Sequence, residues 1–350
     1  MKLVSIVILN WNGKKFLEQF MGKLADFSQV PGAEIVVADN ASSDDSISYL
    51  EKYFPGIRII RLDKNYGFSG GYNRALEQIR SRYFLLINSD MEVTRGWLEP
   101  MLEFMEKNPD VAACSPKILD YNRRKHFEYA GAAGGYIDKF GYAFCRGRIF
   151  DVLEEDNQQY DQTVETFWAT GACFMVRAQV FQELKGFDEY FFAHMEEIDL
   201  CWRMKNIGYK ICCVPASAVY HVGGGTLATG NPFKTYLNFR NNLLLLYKNL
   251  PRNKFYSTMF ARLVLDAVSA LRYLLRGDLK DFAAVVKAHI SFHIRKKSYR
   301  CFRKTNKMTI NSVNFTEIYS GSIVIDFFFL KNKTFSRLRH RFYHRLNRIG

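Results

Sequence analysis

The segment Tyr83-Phe84-Leu85-Leu86-Ile87-Asn88-Ser89-Asp90 carries five apolar residues straight into Asn-Ser-Asp. An unbroken apolar run of this length reads as a strand covered on both faces, as in a parallel sheet layered between helices. Sheets of that kind hold their ligands at the carboxyl ends of the strands. Asp90 is therefore expected at the lip of a crevice, with Asn88 beside it. A carboxylate there is a hard oxygen ligand suited to Mg²⁺ or Mn²⁺ carrying a diphosphate. Taken alone, the same three residues fit a polar turn equally well.

The segments upstream favour the crevice. Asn65-Tyr66-Gly67-Phe68-Ser69-Gly70-Gly71-Tyr72-Asn73 is a glycine-rich loop that opens a helix through Ala75, Leu76 and Ile79. Before it lie an apolar strand from Ile57 to Leu62 and another, Glu34 to Asp39, that ends in an acid. The first strand, Leu3 to Leu9, ends at Asn10. It has no small-residue cleavage site, so it reads as a strand and not as a signal peptide. Helical spacing fills the gaps, and Ser43 or Asp44 suits the N-cap of the helix through Leu50. Strand and helix alternating at this rhythm indicate an α/β fold with a mostly parallel sheet. Neither GxGxxG after the first strand nor GxxxxGK[ST] is present, which argues against NAD and P-loop chemistry. Asn10, Asp39 and Asp90 instead converge as polar strand ends beside glycines, which suits a nucleotide pocket. The Asp39 carboxylate fits a base N–H or a ribose hydroxyl, and Gly67, Gly70 and Gly71 allow close approach of a ligand to backbone.

Downstream, a helix is expected over 96–107 and a strand over 111–115, stopped by Pro116. Residues 120–165 have weak periodicity and read as a long connection over the crevice. Thr166 to Arg177 reads as one strand with Gly171 inside it, a bulge or a site of close ligand approach. Then come Gly186-Phe187-Asp188-Glu189 and the acidic group Glu196-Glu197-Ile198-Asp199. Carboxylates at a helix start after an aromatic run suit general-base work, because apolar neighbours raise their pKa. They also suit a first helical turn that complements the helix dipole. A strand from Tyr209 to Val214 should end at Pro215, and His221 before Gly223-Gly224-Gly225 fits a metal or phosphate contact.

These residues, in this order, resemble inverting family 2 glycosyltransferases of the GT-A fold, especially the bacterial rhamnosyltransferase-like group. The likeness spans about residues 3–245. It rests on Ser5 to Asn12, Val37 to Asp44, Asn65 to Asn73, Asn88-Ser89-Asp90, Thr170-Gly171-Ala172, Gly186 to Arg203 and His221. The resemblance implies a nucleotide-diphosphate sugar (UDP- or dTDP-linked) bound by Asn10, Asp39, Asp44, Asn65, Gly67, Gly70, Gly71, Asn73 and Asn88. Asn88-Ser89-Asp90 corresponds to the DXD-type motif, with Asn where many members have the first Asp. Asp90 and His221 would hold the Mg²⁺ or Mn²⁺. The second acid of the family's Glu-Asp pair falls on Glu197, with Glu196 the second choice as base and Asp199 structural. Trp168, Gly171 and Asp188 would shape the site for a glycan or lipid-linked acceptor.

Charge divides the chain. Residues 231–350 hold 24 Lys and Arg against 5 Asp and Glu, a balance of +19; of the chain's 49 basic and 35 acidic residues, 25 and 30 remain for residues 1–230, a balance of −5. We expect a catalytic domain over 1–230 and a basic, amphipathic, mainly helical region over 231–350. Tyr236 to Leu250 and Met259 to Arg276 read as its helices. No apolar run is long enough to span a bilayer. Such helices suit an anionic membrane surface, at the inner face of the cytoplasmic membrane, or packing on the catalytic domain with a basic face in water. No nucleic-acid motif accompanies the basic tail, so no nucleic-acid partner is expected. The seven scattered cysteines fit free thiols in a reducing compartment. Two rival readings are a nucleotidyltransferase, which would carry a Gly- and Arg/Lys-rich loop where Asn10-Trp11-Asn12-Gly13 stands, and a degenerate transferase scaffold that binds membrane or nucleic acid.

Overall fold

The computed structural model describes residues 1–223, 231–300, 303 and 315–341. The glycines after Gly223 and the basic residues from 342 onward lie outside the described residues, together with the readings that used them.

β1 (Lys2–Asn10), α1 (Lys14–Phe27), β2 (Ala33–Asp39), α2 (Ser46–Tyr53), β3 (Arg58–Arg61), α3 (Gly67–Glu77) and β4 (Ser81–Ile87) alternate along the chain. β1 pairs in parallel with β2 and β4, and β2 with β3. The two-residue period of a strand explains the two layers. Val4, Ile6 and Ile8 of β1 pack with Leu17, Met21 and Leu24 of α1, and Tyr83, Leu85 and Ile87 of β4 join them. Val7, Phe84 and Leu86 face the opposite layer, with Tyr72, Ala75 and Leu76 of α3. Each side chain so enclosed contributes roughly 1.5–3 kcal/mol.

β5 (Met91–Val93), α4 (Glu99–Lys107) and β6 (Val111–Asp120) follow. The helix expected from Gly96 starts later because Gly96 has φ +71° and forms the turn before it. A second, smaller sheet comes next: β7 (Gly135–Asp138), β8 (Ala143–Cys145), β9 (Arg148–Ile149) and β10 (Val152–Leu153). It occupies the segment that sequence reading took for a plain connection, because its strands are too short to show a period. β11 (Val164–Thr166), β12 (Cys173–Arg177), α5 (Ala178–Glu183), α6 (Glu196–Asn206) and β13 (Lys210–His221) complete the main sheet. Its order is β11-β13-β6-β12-β4-β1-β2-β3, with β5 paired to β13. β12 runs antiparallel to both β4 and β6, while β13 is parallel to β6.

Three expectations are corrected here. Pro116 and Pro215 end nothing: β6 and β13 both run through them. Pro116 pairs with Val214, and the β6–β13 ladder shifts register between Val214 and Ala218. A proline that offers no N–H is tolerated at such an irregularity. The continuation carries β13 to His221, beside Met91 and Asp120. Residues 166–177 form the end of one strand and the whole of another, and Gly171 sits in the turn between them.

α7 (Pro232–Asn249), α8 (Arg252–Leu275), α9 (Leu279–Arg295), β14 (Ile318–Tyr319) and α10 (Ile323–Phe328) form the C-terminal part. α7 buries Leu243 to Leu246 in the larger core cluster, and β14 adds a parallel strand to β7. α8 and α9 keep large apolar side chains exposed, among them Phe260, Leu263, Leu271 and Leu275 on α8 and Leu279, Ile290 and Ile294 on α9. Among the described residues no helix is long and apolar enough to cross a membrane.

Candidate active site

The parallel register of β1 and β2 sets Asn10 beside Asp39. Asn10 Nδ2 donates to Asp39 Oδ1 and to Ser42 Oγ, each at 3.1 Å, and Ser42 N donates to Asp39 Oδ2 at 3.0 Å. The buried Asn10 Oδ1 has no hydrogen-bond partner. Asn40, which sequence reading passed over, ties this corner to the glycine loop. Its Nδ2 donates to Asn65 Oδ1 at 3.0 Å and to the Gly67 carbonyl at 3.1 Å, and its Oδ1 accepts from Tyr66 N at 2.9 Å. Asn65 Oδ1 also accepts from Gly67 N at 2.8 Å.

Several expected nucleotide contacts are engaged elsewhere. Asp44 accepts from Lys14 N at 3.0 Å and Ser46 N at 3.1 Å, so it fastens the start of α1 to that of α2. Asp45 occupies the cap position of α2 without a capping bond. The Asn73 amide grips Phe187 at both backbone atoms, 2.9 Å each. The room over the glycines is filled by protein. A Cβ on Gly67 would lie 2.7 Å from the Phe192 ring, one on Gly71 2.8 Å from Leu9, and one on Gly70 3.1 Å from Arg74 and Tyr66. Gly67, with φ +70°, is also the residue that the turn requires.

At the end of β4, Asn88 and Ser89 stay partly open while Asp90 is buried. Asp90 Oδ1 lies 3.1 Å from His221 Nε2, and His221 Nδ1 lies 3.1 Å from Glu128 Oε2. Burial works against a charge on His221, but its hydrogen bond to Asp90 and the attraction of Asp90 and Glu128 outweigh it and push the imidazole up to about 10. Burial likewise raises Asp90, and His221 overcomes this and holds it below its ordinary value. Glu128 lies in the aperiodic segment, and only the fold brings it here.

No group of three His, Cys, Asp or Glu residues is gathered as a ready-made metal site among the described residues. The donor set nevertheless fits a divalent cation. A carboxylate and an imidazole meet at strand ends, and the far nitrogen of the imidazole faces a second carboxylate, the outer arrangement typical of metal-ligating histidines. The cation would replace the imidazolium proton. Water and oxygens of a bound ligand would supply the other positions, as is usual for Mg²⁺.

The acidic pair is reached through a strained loop. Phe192, His194 and Met195 all have positive φ, between 65° and 74°. Such a cluster of left-handed non-glycine residues persists only where its surroundings impose it. Here α7 imposes it. Asn241 Nδ2 donates to the carbonyls of Phe191, Ala193 and His194 at 2.9, 2.8 and 2.8 Å. Arg240 Nη2 donates to the carbonyls of Tyr190 and Phe191 at 3.2 and 3.1 Å. Neither residue was picked out from sequence, since both sit inside a helical apolar run.

α6 starts at Glu196, so Glu196 and Glu197 stand in its first turn. The Oε2 atoms of both are buried without a hydrogen-bond partner. Burial pushes Glu197 up to about 7, and burial together with Glu197 holds Glu196 well above the carboxylate range. The turn at 170–172 joins this pair to the strand-end motif. Asn88 N donates to the Ala172 carbonyl at 3.0 Å. A Cβ on Gly171 would lie 3.1 Å from the Phe68 ring and 3.9 Å from Glu197 Cβ. The ends of β4, α3 and α6 therefore meet at one place.

The other expected acceptor residues do not join them. Trp168 is buried, donates from Nε1 to the Tyr136 carbonyl at 3.0 Å, and lies flat against Gly135. Asp188 caps a short 3₁₀ turn and pairs with Lys248 at 2.7 Å. Asp199 is enclosed by Arg203 at 2.8 Å, Lys248 at 2.7 Å and Asn249 at 2.9 Å.

Known proteins carry this architecture. The profile of "Glycosyl transferase family 2" matches residues 5–185. The chain belongs to this family. As a family 2 glycosyltransferase it is similar to the N-acetylglucosaminyl-diphospho-decaprenol L-rhamnosyltransferase of Mycobacterium tuberculosis, at 23% identity over 235 residues, covering 63% of this chain and 76% of that one. The S. aureus TarS 1–349 structure in complex with UDP-GlcNAc superposes with a TM-score of 0.54 at 15% identity, covering 88% of this chain and 92% of the other. The mannosyltransferase PcManGT of Pyrobaculum calidifontis, solved with GDP-Man and Mn²⁺, gives 0.51 at 13% identity, over 83% and 86%. At these identities the structural likeness is one of fold, and the mixed sheet of this glycosyltransferase shares it.

Proposed function

We propose that this enzyme moves a sugar, with rhamnose the leading candidate, from a UDP- or dTDP-linked donor to a hydroxyl of a lipid-linked or cell-surface glycan, inverting the anomeric centre. The observation that carries the reading is the meeting at Gly171. There a glutamate with a buried, unpartnered oxygen and a raised pKa stands next to the polar end of β4. Glu197 takes the proton of the acceptor hydroxyl as that oxygen attacks the anomeric carbon. The bond from that carbon to the diphosphate breaks on the opposite side, and one displacement inverts the centre. Glu196, raised further by burial and by Glu197, resists a second negative charge beside it. Asn10 and Asp39 hold the nucleoside end, and Asn40 keeps the glycine loop closed over it. Asp90 and His221 would hold Mg²⁺ or Mn²⁺, which supplies positive charge beside the departing diphosphate. The name of the mycobacterial relative supports rhamnose and a diphospho-lipid acceptor, and the exposed apolar faces of α8 and α9 among basic residues support a place on an anionic membrane surface.

The test is transfer from a panel of UDP- and dTDP-sugars to a polyprenyl-diphosphate-linked glycan, followed across pH. The rate should rise with pH as Glu197 loses its proton, with a midpoint near its value of about 7. A rate that is flat or falling between about pH 5.5 and 8.5, under conditions where chemistry limits, would remove Glu197 as the base. Failure of every donor with folded protein would count against the proposed substrates.

A further inference from the structure

A cavity of about 1060 Å³ opens between α7 and α9 beside the acidic loop. Phe192, Tyr236 and Leu237 contribute to its apolar wall, and Arg240, Lys287 and Arg295 bring positive charge to it. The Phe192 wall belongs to the active site as well. Its ring fills the space over Gly67, and its carbonyl accepts from Phe68 N at 3.2 Å. Phe68 in turn lies against Gly171, next to Glu197.

The charges in this groove lack counter-charges. Arg240 is buried, yet its partners are all neutral: the Tyr190 and Phe191 carbonyls, Asn241 Oδ1 at 2.8 Å and the Tyr236 hydroxyl at 3.5 Å. Among the described residues no carboxylate forms an ion pair with Arg240, Lys287 or Arg295. Glu189, the acid at the rim, is taken by Arg74 at 2.8 Å. A buried guanidinium without a carboxylate is costly unless an anion reaches it. The Tyr236 phenol senses the same field: burial raises it, but the Ser291 hydroxyl and the charges of Arg240 and Arg295 outweigh this and lower it. The sides of α9 next to Lys287 and Arg295 carry Val286, Ile290 and Ile294, all exposed.

We propose that this groove is the seat of the lipid diphosphate of the acceptor. The diphosphate lies against Arg240, Lys287 and Arg295, and the isoprenoid chain leaves along the apolar side of α9 towards the bilayer. This rests on the lipid-linked acceptor reading and goes further by naming the residues that grip the lipid end. The grip holds the acceptor sugar beyond Phe192, at the Gly171 turn, where Glu197 waits. Because Arg240 also ties down the acidic loop, an occupied groove firms the loop that presents the base.

The test is flotation of the full chain with three kinds of phosphatidylcholine vesicle: plain, carrying a polyprenyl diphosphate, or carrying phosphatidylglycerol at matched charge. Wild type should bind the diphosphate vesicles at least about tenfold more tightly than the charge-matched ones, as expected for a few charge-assisted hydrogen bonds. Lys287→Ala with Arg295→Ala should lose about tenfold or more of that preference, with melting unchanged. Should the pair disturb folding, the reversal Lys287→Glu at an exposed position gives the same reading alone. Equal binding of wild type to diphosphate and phosphatidylglycerol vesicles would leave only a general membrane surface and overturn the proposal. A diphosphate preference that survives both substitutions would overturn the groove while leaving the lipid-linked acceptor intact. Binding of nucleotide with no affinity for any vesicle would remove the lipid-linked reading itself.

Discussion

Glu197→Gln lowers kcat by about 10²- to 10⁴-fold, the range set by removal of a general base, and leaves nucleotide affinity close to wild type. Gln preserves shape and the α6 first turn but cannot take the acceptor proton. Glu196→Gln is the control. Glu196 is buried, and burial and Glu197 raise its carboxyl well above its ordinary value, which makes it the poorer base, so its loss should be much the smaller. If Glu196→Gln proves the more damaging, the roles are reversed. Glu197→Gln has the opposite effect on stability. A carboxyl raised to about 7 in the fold, from an ordinary 4.5, binds a proton in the folded state that the unfolded chain has released. Wild-type stability therefore falls as pH rises from about 4.5 to 7, and the unfavourable charge is fully present above that. Glu197→Gln abolishes this dependence. It should melt higher than wild type at pH 8, with the gap closing towards pH 4.5. Denaturant titrations at the two pH values measure it.

Lys248→Met destabilises the fold by about 3–5 kcal/mol, the usual result of taking one partner from a buried ionic cluster. Lys248 is buried on α7 and reaches Asp188 and Asp199, both at 2.7 Å. Asp199 is fully enclosed, and although burial raises its pKa, Lys248 and Arg203 outweigh that and keep it ionised. Without Lys248, Asp188 and Asp199 lose their shared cation, and Asp199 keeps Arg203 as its charged partner and the neutral amide of Asn249. Lys248→Met combined with Asp199→Asn should recover part of the loss, because it removes the stranded charge. A loss below about 1 kcal/mol in urea would mean that water reaches the cluster and that α7 is held to α6 by its leucines alone. The cluster also explains why the basic C-terminal part is bound up with the site. One turn of α7 fixes Asp199 while another fixes the loop before Glu196.

The sheet was legible wherever one strand carried its own signal. Leu3–Leu9, Glu34–Asp39 and Tyr83–Ile87 are mostly apolar runs, and Asn10, Asp39 and Asn88 at or just beyond their carboxyl ends are read as one edge of the sheet. It was not legible where a neighbour decided the outcome. Pro116 read as a stop because a strand interior needs its N–H, and only the irregular β6–β13 ladder removes that need. The strands of the small sheet are two to four residues long, below any periodicity. At the site, Asp90 and His221 stood out as a strand-end acid and a histidine before glycine. Glu128, on the other side of His221, did not, because nothing local distinguishes it from a surface acid. The same limit applies to residues whose partners are far away in sequence. The family resemblance gave Asn73 and Asp188 ligand contacts, yet Phe187 and Lys248 engage them. Gly67 and Gly71 were read as openings for a ligand, yet Phe192 and Leu9 fill them. Asn241, which holds the strained loop through three carbonyls, was hidden because an asparagine in a helix is silent until the loop it faces is known.

The most direct test of the account is calorimetric titration of UDP and of dTDP into the protein, with Mn²⁺ and with EDTA, repeated on Asp90→Ala. The account predicts that one nucleotide binds in Mn²⁺, that EDTA abolishes or strongly weakens the binding, and that Asp90→Ala binds no better with Mn²⁺ than wild type does with EDTA. Binding of equal strength with Mn²⁺ and EDTA, or an Asp90→Ala protein that still responds to Mn²⁺, would contradict a metal at Asp90 and His221.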